Sequence, residues 1–118
     1  MQRPATKKST RAARTQEKRF MTWVKQQDCI QCGADSHWTI VDHMYGSAFR
    51  HNNVLIGHWA LLPLCHGCDL VKTNGSHNTY KDRFGETQAQ TFMRFLNKVP
   101  EELRPPQEVV DAIEDWGR

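Results

Sequence analysis

The sequence predicts a small α+β domain, and three observations lead to that class. The four cysteines, Cys29, Cys32, Cys65 and Cys68, form two C-x2-C pairs with 32 residues between them. Beside them, HWTIVDHMY and HWALLPLC are rich in the β-branched, aromatic and aliphatic residues that suit strands. Before and after this central part, apolar residues recur at three- and four-residue spacing, the period of helices packed by one face.

The chain of 118 residues, with 16 Lys and Arg against 13 Asp and Glu and 38% hydrophobic residues, allows one small domain. No apolar run approaches the roughly 18 residues of a membrane span. The opening MQRPATKKST also lacks the apolar middle of a secretory signal. A soluble, cytoplasmic protein with no membrane partner is expected.

Charge is unevenly spread. Residues 1–19 carry seven bases and one acid, whereas residues 20–118 carry nine bases and twelve acids. With almost no large apolar residue before Phe20, the first stretch buries too little to offset its ordering entropy. The division expected is a disordered basic arm over 1–19 and a folded domain over 20–118. A basic arm on a mildly acidic body suits a polyanion.

In order along the chain, TQEKRFMTWVKQQ (15–27) puts Phe20, Trp23 and Val24 on one face of a helix that leads into the first cysteine pair. HWTIVDHMY follows as a strand. Residues 46–57, bounded by glycines and polar in the middle, read as the long loop of a hairpin whose second strand is HWALLPLC, with Pro63 marking an edge. Trp38 and Trp59 read as core or hairpin cover. After Cys68 a helical turn breaks near Asn74 and Gly75 and resumes over Asn78–Phe84. Thr87 and Gln90 form a capping box for a helix with Ala89, Phe92, Met93 and Leu96 inward. A last helix runs from Pro106 to Trp116, with Val109, Val110, Ile113 and Trp116 on one stripe.

Two C-x2-C turns aim four thiolates at one ion, the pattern of structural zinc. Gly33, directly after the first pair, supplies the positive φ such a turn favours. A redox pair would need one C-x-x-C, and a disulfide framework an oxidising compartment. Zinc also staples segments that a small core alone would not hold.

Asp42-His43 lies inside the first strand, and Asp69 directly follows the last cysteine. The zinc fixes the backbone beside Asp69 and ties it to the hairpin that carries Asp42. It thereby gathers two carboxylates and an imidazole, equipment for metal-assisted phosphodiester hydrolysis.

The order C-x2-C, VDH on a strand, a long loop and LPLC-x2-CD-x2-KT resembles the four-cysteine branch of the HNH, or ββα-metal, endonucleases. VDHMYG, LLPLC and YKDRFG together are similar to phage RecA-dependent nucleases of the recombination-enhancement type. The resemblance spans residues 29–85. It implies a ββα-metal core with flanking helices, His43 as general base, and Asp42 and Asp69 as ligands of Mg2+ or Mn2+. His77 or Asn74 would be an additional ligand. The implied activity is DNA endonuclease cleavage of low sequence specificity in phage recombination or DNA processing, leaving a 5′ phosphate and a 3′ hydroxyl. DNA and a recombinase filament such as RecA are the implied partners.

Two positions depart from the family. Asp69 stands where His or Asn is usual, and Ala60 where a middle Asn orients the base. Asn52, Asn53 and His58 are the alternatives for that second role. Lys7, Lys8, Arg11 and Arg14 of the arm, with Arg50 and Lys72, are the expected DNA contacts, and Lys81 and Arg83 lie downstream of the proposed metal site. The competing readings are a noncatalytic zinc module that binds nucleic acid, and a zinc-stapled adaptor for another protein through the acidic last helix.

Overall fold

The computed structural model describes the backbone of residues 3–46, 48–74 and 77–117, and their side chains except those of residues 3–13, 73, 74, 77 and 78. Its elements are α1 (Arg3–Val24), β1 (Thr39–His43), β2 (Arg50–His51), β3 (Val54–Leu55), β4 (Leu61–Cys65), α2 (His66–Asn74), α3 (His77–Phe84), α4 (Gln88–Leu96) and α5 (Gln107–Trp116). Single turns of 3-10 helix cover Ser36–Trp38, Gly57–Trp59 and Glu101–Leu103. The fold is a mixture of helices and small sheets, as the α+β expectation has it. Among the described residues, no helix is long and apolar enough to cross a membrane.

The described backbone is helical from Arg3, through most of the stretch expected as a basic arm. Local propensity supplies the reason: Pro4 is tolerated in a first turn, and no Gly or Pro interrupts the Ala, Lys, Arg and Gln that follow. The C-terminal half docks through Glu17, Phe20 and Val24, which share one buried face. Phe20 meets Trp59 at 5.7 Å between ring centroids, and Trp23 meets Phe95 at 5.6 Å.

The strands β1 and β4 pair antiparallel, with Thr39 opposite Cys65, Asp42 opposite Leu62 and His43 opposite Leu61. Pro63 is accommodated because β4 has a single strand neighbour, leaving its other edge free of a ladder. The Pro63 carbonyl instead accepts the Ile30 N–H at 3.0 Å, tying the first cysteine turn to β4. Gly33 has the positive φ expected of it, 78°.

The stretch expected as an irregular loop contains a second, shorter hairpin, β2–β3. Its turn is Asn52-Asn53, with φ of 54° and 65°. Two successive left-handed residues match the right-handed twist of a two-residue hairpin, and Asn tolerates that conformation better than most side chains. Trp59 is buried as expected, but Trp38 is 68% exposed. The Ser36–Trp38 turn ends a residue before β1 and swings its indole outside the sheet, so Trp38 is not core cover.

The helices after the cysteines follow the sequence pattern closely. Helix α2 ends at Asn74 and α3 starts at His77, and α4 starts with both halves of the Thr87–Gln90 capping box formed. Pro106 precedes α5, whose Val109, Val110 and Ile113 are buried. Trp116, expected on that stripe, is half-exposed at the helix end and lies against Phe49 and His51 of the second hairpin.

Candidate metal centre and carboxylate site

The four cysteines converge from three places: Cys29 and Cys32 on the first turn, Cys65 at the end of β4, and Cys68 in the first turn of α2. Their sulfurs all lie within 4.8 Å of one another, and Cys32 Sγ is 3.5 Å from Cys65 Sγ. Sulfurs about 2.3 Å from a tetrahedral zinc stand roughly 3.8 Å apart, so this donor set fits such an ion. Burial opposes ionisation of the Cys29 thiol, but backbone N–H groups of Cys65, Cys32 and Gln31 face its sulfur and bring its pKa down to about 7. The sulfurs are placed to hold a metal such as zinc, with one already disposed to thiolate form. Among the described residues, this is the one cluster of three or more potential ligands.

Directly beside it, α2 carries Asp69 and Lys72 toward β1. Asp42 is buried at the end of that strand, with its side chain between the strand and the helix. Lys72 Nζ donates to Asp42 Oδ1 and to the His43 carbonyl, both at 3.1 Å. Asp42 Oδ2 is buried yet receives no hydrogen bond. The Asp69 carboxyl lies close enough to share a proton with Asp42. Burial raises the Asp42 pKa to about 7, the Asp69 charge adds to the rise, and the Lys72 ammonium resists it. Two carboxylates pressed together out of water satisfy themselves by sharing a proton or a cation. Asp42 and Asp69 are therefore a close carboxyl pair beside the cysteine cluster.

Lys72, expected as a DNA contact, has a side chain only 15% exposed, and its ammonium pairs with Asp42. The reason is helical spacing: Lys72 lies three residues after Asp69, on the same face of α2, and is drawn inward by the buried carboxylates.

His43 points its Nε2 at Nδ1 of His58, 2.9 Å away, with the rings edge to face. Burial, then the positive charges of His58 and Lys72, hold its pKa below the ordinary imidazole value. The ring is therefore neutral near pH 7 and able to accept a proton. Of the three alternatives for the residue that orients it, the structure brings His58. Asn52 instead donates to Asp115 at 3.3 Å, and Asn53 is exposed in the hairpin turn. Ala60 is buried, its carbonyl accepting the Met44 N–H at 2.8 Å.

Arg14, Arg50, Lys81 and Arg83 are exposed and open to solvent. The side chains of Lys7, Lys8, Arg11, Asn74 and His77 lie outside the described residues. His66 is exposed, while His51 meets Asp115 at 2.6 Å. The sequence reading passed over Glu17, a carboxylate buried on α1. Its signal was there in the spacing of 17, 20 and 24, which puts Glu17 on the apolar face of the helix.

No family model matches the chain, and neither the curated proteins nor the solved structures include a match to it.

Proposed function

We propose that this chain is a metal-dependent DNA endonuclease of the HNH type, in which β1, β4 and α2 form the ββα-metal core. The observation that carries the reading is the Asp42–Asp69 carboxyl pair beside the cysteine site, with His43, its ring partnered by His58, next along the same strand. A zinc-stapled binding module or adaptor requires neither a neutral, partnered histidine nor two carboxylates forced together.

In this reading Asp42 and Asp69 would hold Mg2+ or Mn2+, and the cation would supply positive charge toward the scissile phosphate and the leaving 3′ oxygen. His43 is the general base. Its Nε2 is engaged by His58, so the proton of the attacking water goes to Nδ1. Lys72, which bonds Asp42 Oδ1, would compete with the cation for that oxygen and would add positive charge beside the phosphate. Hydrolysis leaves a 5′ phosphate and a 3′ hydroxyl. The cysteine zinc takes no part in the chemistry and keeps α2 in register with the hairpin.

The test is cleavage of supercoiled plasmid by the zinc-loaded protein with Mg2+ or Mn2+, against His43→Ala and a chelator control. The reading expects nicking that needs the added cation, and a loss of at least about a hundredfold in His43→Ala with unchanged zinc content. If the wild type binds DNA and cuts none in either cation, the noncatalytic nucleic-acid-binding module takes its place. Activity on filament-bound DNA, with a recombinase such as RecA, would refine the substrate.

A further inference from the structure

Away from the carboxylate site, the most one-sided charge lies on α1. Over residues 3–25 the single acid is Glu17, and it is buried on the docked face. The helical path continues past Val24, with the Lys25 N–H bonded to the Met21 carbonyl at 3.0 Å. Arg14, Lys18 and Lys25 are exposed, and among the described residues none of them forms a salt bridge.

These three bases stand at i, i+4 and i+11, one above another on one side of the helix. Continued toward the N-terminus at the same spacing, the helical backbone brings positions 11, 7 and 3 into the row, and these are Arg11, Lys7 and Arg3. The row is separate from the docked face, because Glu17, Phe20 and Val24 lie about 100° round the helix from it.

The row has a cost and a composition that indicate its partner. Like charges at i and i+4 repel, and bases in a first turn that holds no acid oppose the helix dipole. The arrangement therefore works against its own helix until anions meet it. A helix that lies in a membrane surface would set bulky apolar side chains among its bases. Over residues 3–19 the only apolar residues are Pro4 and alanines. Six bases along about 33 Å of helix instead suit a long, regular array of negative charge. Duplex DNA is such an array, with roughly one phosphate per 3.4 Å of axis on each strand.

We infer that α1 is a phosphate-tracking helix, whose row from Arg3 to Lys25 lies along the backbone of duplex DNA. Contact then depends on helical phase as well as on charge, which a flexible basic tether would not require. This deepens the DNA-binding part of the proposed function and rests on it for the choice of polyanion.

The experiment measures binding of the full-length, zinc-loaded chain to a short blunt DNA duplex by fluorescence anisotropy across a salt series. No Mg2+ or Mn2+ is added, so cleavage does not intervene. One variant inserts a single alanine between Ala12 and Ala13. It keeps every charge and a strong helix former, but turns Arg3, Lys7 and Arg11 about 100° away from the rest of the row. It should bind at least about fivefold more weakly, with a slope of log K against log salt smaller by about 2 to 3. Its melting temperature should match the wild type, since the docked face is unaltered.

Lys18→Gln and Arg19→Gln form the second comparison, because each removes one exposed base. Arg19 stands about 100° round from Lys18 and lines a groove with Glu102 and Leu103. Lys18→Gln should lower the slope by roughly 0.9, and Arg19→Gln should leave it near the wild-type value. An insertion variant that binds as well as the wild type, or equal losses in Lys18→Gln and Arg19→Gln, would overturn the inference. Tighter binding to anionic phospholipid vesicles than to the duplex would overturn it as well. If binding depends on phase but the wild type cuts no DNA with Mg2+ or Mn2+, the nuclease reading fails and the inference about α1 stands.

Discussion

The ammonium of Lys72 stands 3.1 Å from Asp42 Oδ1, inside the site proposed to take a divalent cation. A positive charge at this distance competes with the metal for the same oxygen. Two unit charges about 4 Å apart interact by roughly 1 kcal/mol in water and about 4 kcal/mol at an effective dielectric constant of 20. Lys72→Met should therefore tighten Mn2+ binding at least about fivefold, read by paramagnetic resonance of the free ion at pH 8. Cleavage should fall if Lys72 also stabilises phosphate charge, so the variant gains metal and loses rate. Unaltered Mn2+ affinity would place the cation away from Asp42.

The staple should be indispensable to folding. A structural zinc contributes on the order of 10 kcal/mol to domains that enclose it, as much as the whole net stability of a chain this size. Cys65→Ser should therefore lose its zinc and its cooperative melt, measured by elemental analysis and circular dichroism. Asp69→Asn, one residue past the last sulfur ligand, should keep both. A folded, zinc-free Cys65→Ser protein would show that the core is sufficient without the ion.

A second link joins the first cysteine turn to the helices. Glu86 accepts hydrogen bonds from Arg94 Nη2 at 2.7 Å, Thr91 Oγ1 at 2.6 Å and Gln31 Nε2 at 3.1 Å, and Gln31 lies between Cys29 and Cys32. Burial pushes the Glu86 carboxyl up, but these bonds outweigh it and hold its pKa below 4.5. A lowered folded-state value stabilises the protein above the unfolded value and is lost as pH falls through the folded one. Glu86→Gln should cost about 1 kcal/mol at pH 7, a modest figure because Arg94 is half-exposed, or roughly 5 °C in melting temperature. The gap from wild type should narrow as pH falls below the ordinary carboxylate range. A gap that does not vary with pH would mean that ionisation of Glu86 is irrelevant.

The elements visible in the sequence were those whose signal is local. The capping box at Thr87, the end of α2 at Asn74 and the cysteine spacing each announce themselves within a few residues. The β2–β3 hairpin was missed because its two-residue strands are too short to show alternation, leaving only Asn52-Asn53 as a turn signal. At the site, the sequence put His43, Asp42 and Asp69 side by side through the zinc argument. It left the partner of His43 open, because His58 reaches that ring only through the path of the 3-10 turn. The inward turn of Lys72 depends on which face of α2 meets the sheet, a property of packing.

The basic N-terminal segment gives the last prediction. Glu17, Phe20 and Val24 are buried against the core, so cutting at residue 19 would remove a piece of the fold together with the charge. Deleting residues 2–13 removes Arg3, Lys7, Lys8 and Arg11 and leaves the docked half of α1 in place. If those bases neutralise phosphates, removing each one lowers the slope of log K against log salt by roughly 0.7 to 0.9. The shortened chain should therefore bind DNA with a slope smaller by about 3, and more weakly at low salt. Its melting temperature should stay near that of the full chain, since the buried face of α1 is untouched. The deletion leaves Asp42, His43 and Asp69 untouched, so cleavage at saturating DNA and low salt should continue at close to the full rate. Binding measured across a salt series for both proteins decides the matter. Equal slopes would show that these four bases do not touch DNA, and would direct the search for their partner to an acidic protein surface.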